Sequence, residues 1–77
     1  MKITLLTFAQ TRTQLGFAEK IVDYEPRETP RQIFQRVAPE FDPGRIIRVA
    51  VDREYADWDQ PVGQASELAL IPPVSGG

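Results

Sequence analysis

The chain has 77 residues, of which 42% are hydrophobic and 26% charged, and its net charge at pH 7 is −2. This composition fits one small globular domain, near the size at which a single core becomes marginal, and not a disordered segment. Cysteine and histidine are both absent, which excludes disulfides, thiolate metal sites and the commonest general base, and the acidic balance disfavours nucleic acid as a partner.

Residues 2–9 (KITLLTFA) are rich in β-formers. Their apolar residues fall on both faces, as in a central strand covered on one side and partly on the other. Residues 10–16 (QTRTQLG) read as a polar turn or loop closed by a glycine. Residues 17–24 read as a second strand, its latter half buried through Ile21, Val22 and Tyr24, and the pair reads as a hairpin.

Pro26 breaks that strand, and a strong helix start follows. Thr29 is a suitable N-cap, Pro30 suits the first helical position, and Gln32 stands three residues after Thr29 as in a capping box. Ile33, Phe34 and Val37 share one face, and Pro39 ends the helix near Ala38. Arg31, Arg36, Arg45 and Arg48 invite an anion-site reading, but a solvated helix face and strand edge account for them better.

Residues 46–52 (IIRVAVD) alternate cleanly, with Ile47, Val49 and Val51 on one side and Arg48 and Asp52 on the other. Residues 53–64 read as polar and irregular. Their aromatics, Tyr55 and Trp58, read as anchors of a loop onto the core. Asp57 and Asp59 lack the further ligands that a cation site needs, so no metal is expected. Residues 67–71 (ELALI) form a last strand, which runs into the tail Pro72-Pro73-Val74-Ser75-Gly76-Gly77.

The order strand, strand, helix, strand, irregular segment, strand predicts an α+β domain. One helix covers one face of a mixed four- to five-stranded sheet in two layers. Residues 1–71 are expected to form the domain and residues 72–77 an extended tail. No apolar run approaches the ~20 residues of a membrane span, and the start lacks a signal-peptide core, so a cytoplasmic chain without a membrane partner is expected. The two prolines hold the tail extended and the two glycines leave it without side chains, thin enough for a narrow channel. Residues 74–77 would reach about 13 Å at full extension. The chemical group such an end offers is the α-carboxylate of Gly77.

Across nearly its whole length the chain resembles the small subunit of molybdopterin synthase, the MoaD family of ubiquitin-like sulfur carriers. The resemblance lies in Leu6-Thr7-Phe8-Ala9-Gln10-Thr11-Arg12, in Val49-Ala50-Val51-Asp52 and in residues 67–77. The ending Pro-Pro-Val-Ser-Gly-Gly is its specific part. The chain departs from the family at Asp52, where Asn is usual, in the Gln64-Ala65-Ser66 turn, and at Leu70-Ile71, which replaces an aromatic pair.

The resemblance implies a β-grasp fold and a carrier role for Gly77, without a side-chain active site or a bound cofactor. An E1-like (MoeB-like) enzyme would use ATP to adenylate the Gly77 carboxylate, and a sulfur source would convert it to a thiocarboxylate. Pro72, Pro73, Val74, Ser75 and Gly76 would enter the active site of the large (MoaE-like) subunit, and the sulfur would pass to cyclic pyranopterin monophosphate. Two carriers and a large-subunit dimer would make a heterotetramer. Phe8, Arg12, Tyr55, Leu70 and Ile71 are the expected partner surface. Three other readings stay open: a carrier for thiazole or cysteine synthesis, a ubiquitin-like modifier that joins Gly77 to lysines, and an interaction module with an inert tail.

Overall fold

The computed structural model describes residues 1–8, 10–42 and 47–72. The elements run β1 (Lys2–Leu6), α1 (Gln10–Leu15), β2 (Glu19–Asp23), α2 (Pro30–Val37), β3 (Arg48–Val51), β4 (Glu54–Ala56) and β5 (Glu67–Ile71). The strands form one mixed sheet in the order β2-β1-β5-β3-β4. β5 pairs with β1 in parallel, while the other three pairings are antiparallel. This is the two-layer β-grasp arrangement, with the chain's last strand at the centre of the sheet.

Alternation along the strands builds the core. Ile3 and Leu5 of β1, Leu68 and Leu70 of β5 and Val49 of β3 turn to one face, where Ile33 and Phe34 of α2 meet them. Full burial of each such side chain stabilises the fold by roughly 1.5–3 kcal/mol. Losing one therefore removes much of a small domain's net stability of about 5–15 kcal/mol.

α2 begins as its sequence predicts. The Thr29 hydroxyl accepts from the Gln32 amide at 3.2 Å, and the Gln32 side chain accepts from the Thr29 amide at 2.9 Å. Pro30 opens the first turn, where a missing N–H costs nothing. Arg31 and Arg36 each end on a carboxylate, Asp59 and Glu28.

Several boundaries differ from the sequence reading. β1 stops at Leu6 instead of residue 9, and Ala9 lies outside the described residues. The expected loop at residues 10–16 contains the short helix α1, so the fold has a second helix. Its residues have no strong helical pattern, and local bonds hold it instead. The buried Thr11 hydroxyl donates to the Phe8 carbonyl at 2.7 Å and accepts from the Phe8 amide at 3.0 Å. Gly16, at φ +81°, closes the helix by donating to the Arg12 carbonyl at 2.9 Å.

β2 starts at Glu19, not Phe17. Its Ile21 is 65% exposed, because at this register Val22 and Tyr24 take the inward positions. β3 is described from Arg48, and Ile46 lies outside the described residues.

The segment read as irregular holds β4, which β3 joins through the two-residue turn Asp52-Arg53. Both turn residues have positive φ, 49° and 71°, the geometry whose twist matches a tight hairpin. The Asp52 carboxylate also accepts from the amides of Ser66 (2.8 Å) and Glu67 (2.9 Å), tying this turn to the start of β5.

After β4 the chain crosses the open end of the core. Trp58 meets the Phe34 ring edge-on at 6.0 Å and donates to the Ile47 carbonyl at 3.0 Å. The Tyr24 hydroxyl lies within hydrogen-bond reach of the carbonyls of Gly63 (3.1 Å) and Ala65 (2.8 Å). Val62 and Ala65 of this crossing are buried in the core.

Two measurements check this account. Tyr24→Phe leaves the buried Ala65 carbonyl without its donor and should cost about 1–3 kcal/mol. At about 4–8 °C per kcal/mol for a domain of this size, differential scanning calorimetry will resolve the loss. An unchanged Tm would show that the crossing does not depend on that hydroxyl.

The second concerns Glu28. Burial alone would push its carboxyl up, but the Glu25 amide that donates to it at 2.8 Å and the Arg36 guanidinium together hold it below its ordinary value. A depressed folded value stabilises the fold above the ordinary carboxylate range, and this is lost as pH falls through the lowered value. Glu28→Gln should therefore be less stable than the parent at pH 7, with a narrower gap at an acidic pH below the ordinary carboxylate range. Urea midpoints at the two pH values test this, and a constant gap would refute it.

Candidate functional site

The sheet has one face under α2 and one face open. Period-2 alternation puts Glu67, Ala69 and Ile71 of β5 on the open face, between Leu6 of β1 and Arg48 and Ala50 of β3. Leu6, Ala69, Ala50 and Tyr55 lie in one register row across four strands. In the next row Arg48 stands opposite Ile71, the residue before Pro72.

Two alanines side by side leave a depression between larger neighbours. Phe8, Ile71 and Tyr55 surround a hollow of about 350 Å³ with Ala50 and Ala69, and Arg53 and Glu67 complete it. Phe8 is 42% exposed and Tyr55 61%. Large aromatic groups left in water beside small buried ones form a surface that gains by being covered.

Three residues expected at a partner surface, Phe8, Tyr55 and Ile71, thus meet around one hollow. Tyr55 does not anchor a loop to the core. It belongs to β4 and faces outward, whereas Trp58 takes the anchoring role. Leu70 has to be moved: it is fully buried, because alternation sends it to the α2 face while Ala69 and Ile71 go to the open one. Arg12 is exposed on α1 and does not line the hollow. Pro72 is described and half-buried, while Pro73, Val74, Ser75, Gly76 and Gly77 lie outside the described residues.

The sequence reading missed Ala50, Ala69 and Arg53 as parts of this surface. The two alanines in outward positions of neighbouring strands were the available signal. Reading it needed the pairing of β3 with β5.

Asp57 and Asp59 are taken up locally. Asp57 accepts from the Asp59 amide at 2.9 Å. Asp59 binds Arg31, whose hydrogen bond holds the Asp59 carboxyl below its ordinary range. Among the described residues, no three metal-ligating side chains gather. A second hollow, of about 760 Å³, lies by Leu15, Val37 and Phe41 and includes no residue of β5.

The ThiS family model matches residues 5–77. The molybdopterin synthase sulfur carrier subunit of Escherichia coli K12 is 32% identical over 81 residues, covering 97% of this chain and 99% of its own. Among solved structures, SAMP1 of Haloferax volcanii, a small archaeal modifier protein, superposes with a TM-score of 0.77 at 26% identity, both chains covered in full. Subunit 1 or 2 in the Helicobacter pylori molybdopterin-converting factor complex gives 0.67 at 18% identity, again with full coverage, and this likeness bears on the fold alone. With the family model and a curated relative both spanning nearly all of it, the chain belongs to the ThiS family, among whose members it is similar to the sulfur carrier subunits of molybdopterin synthase.

Proposed function

We propose that the chain is the sulfur-carrying small subunit of a molybdopterin synthase, acting in the cytoplasm, with the Gly77 carboxylate as its working group. One observation carries this reading. The strand that leads into the Pro-Pro-Val-Ser-Gly-Gly ending is the central strand of the sheet, and an apolar hollow lies beside its last residue.

A carboxylate is a poor electrophile. Adenylation by an E1-like enzyme using ATP gives it a good leaving group, and sulfur then replaces that group to leave a thiocarboxylate. Covalent carriage divides one difficult step into easier ones. Docking of the open face on a large subunit aims the terminus, so that the sulfur meets cyclic pyranopterin monophosphate already positioned. No side chain of this chain takes part in the chemistry. Among the described residues no helix is long and apolar enough to cross a membrane, which accords with this setting.

A modifier role is the second reading, favoured by the full-length likeness to SAMP1. Activation of Gly77 is common to both, and the acceptor differs: a pterin in one, a lysine amine in the other. Lysine-linked conjugates without sulfur transfer would select the modifier.

Incubation with ATP, an activating enzyme and a sulfur source should raise the intact mass by the exchange of one oxygen for one sulfur. Deleting Gly76 and Gly77 should abolish that shift while leaving the Tm nearly unchanged, because the last few residues of a domain generally contribute little to its stability. A retained shift would refute the role of Gly77. Ile71→Asp should weaken binding to the large subunit by about 2 kcal/mol or more, roughly thirtyfold, as for a central apolar contact. Titration calorimetry with the folded variant tests this, and unaltered affinity would move the docking surface elsewhere.

A further inference from the structure

The hollow beside β5 has two unlike sides. Phe8 and Ile71 make one side apolar, while Arg53 lines the β3–β4 side and Arg48 stands next to the hollow, over the Tyr55 ring. The chain as a whole is acidic, so two cations here run against its bulk charge. Arg31 and Arg36 each meet a carboxylate. Arg48 and Arg53, in contrast, have no ion pair or hydrogen bond from their side chains among the described residues.

Arg48 nonetheless has a neighbour on this face. Its guanidinium carbon lies 4.0 Å from the centre of the Tyr55 ring. Contact with the ring through the guanidinium carbon leaves N–H groups available for a carboxylate. Arg53 sits at φ 71°, a left-handed conformation that glycine adopts without cost and a long side chain does not. Backbone strain at an exposed turn beside a hollow points to a use for the side chain it presents. Glu67 touches the same hollow but makes no ion pair with either arginine. Among the described residues, therefore, no carboxylate neutralises these cations by contact.

We infer that the β3–β4 rim is a charge-reading part of the docking surface: the protein partner on this face places an apolar side chain between Phe8, Ala69 and Ile71 and a carboxylate against Arg53, with Arg48 on Tyr55 as its second cationic contact. This rests on the docking role given to the open face above. Rim charges of this kind act mainly on association rate and partner choice. The two arginines select an acidic partner, and the apolar hollow holds it.

The test is surface plasmon resonance of the full chain on the cognate large subunit of molybdopterin synthase, at low and high salt. The Arg48→Gln/Arg53→Gln double variant should bind about tenfold more weakly at low salt, mostly through slower association, with the difference shrinking as salt screens it. Arg53→Gly keeps the turn and relieves its φ, so it should unfold at the same or higher urea concentration and yet associate more slowly. Ile71→Asp is the reference for the apolar contact. If Ile71→Asp weakens binding and the arginine variants match the parent at both salts, the charge-reading rim is overturned while the docking face stands. If Ile71→Asp also binds like the parent, the docking face fails and the rim with it. Concentration-dependent self-association of the free chain that the double variant abolishes would make a second copy the occupant and overturn the choice of partner.

Discussion

Everything in this molecule depends on β5 occupying the middle of the sheet. The strand is flanked by β1 in parallel and β3 in antiparallel, so its backbone groups are satisfied on both sides. Its five residues divide by alternation alone. Leu68 and Leu70 become fully buried core, while Glu67, Ala69 and Ile71 are left to the open face. The segment that carries the tail is therefore also the segment most deeply committed to the fold. An edge strand in this role would fray with the tail attached to it, and the direction in which the tail leaves would be lost.

The long connection from β4 to β5 is held mainly through backbone carbonyls. Tyr24 and α2 both reach this segment: the Tyr24 hydroxyl at Gly63 and Ala65, the Phe34 ring against Trp58, and the Arg31 amide at the Trp58 carbonyl at 3.1 Å. Asp52 adds a link from the β3–β4 turn to the first amides of β5. An aspartate serves there because the turn needs a residue that tolerates positive φ and the neighbouring N–H groups need an acceptor.

How much could be read from the sequence follows from how local each signal is. The α2 start was legible because Thr29, Pro30 and Gln32 act within one turn, and β5 because ELALI sits between turn signals and a proline. α1 was not. Its six residues, five of them polar, depend on the Thr11 hydroxyl and the Gly16 cap, which a reading by hydrophobic period cannot weigh. β4 was missed because it is three residues long and follows a turn without glycine. The meeting of Phe8, Tyr55 and Ile71 was expected only as a set of surface residues. Their common hollow depends on strand order, a long-range fact. Leu70 was misplaced for the opposite reason, since the alternation that buries it was visible but was set aside for its nearness to the tail.

The parallel pairing of β1 with β5 has a mechanical side. Two parallel neighbours place the start of the first and the end of the second at opposite ends of the sheet. Tension applied between the start of β1 and Pro72 would load the hydrogen bonds joining these strands in shear, so that they share the force instead of parting one by one. Antiparallel neighbours pulled from the same end would unzip. Force that enters at Pro72 and is resisted at the start of β1 thus meets these hydrogen bonds together.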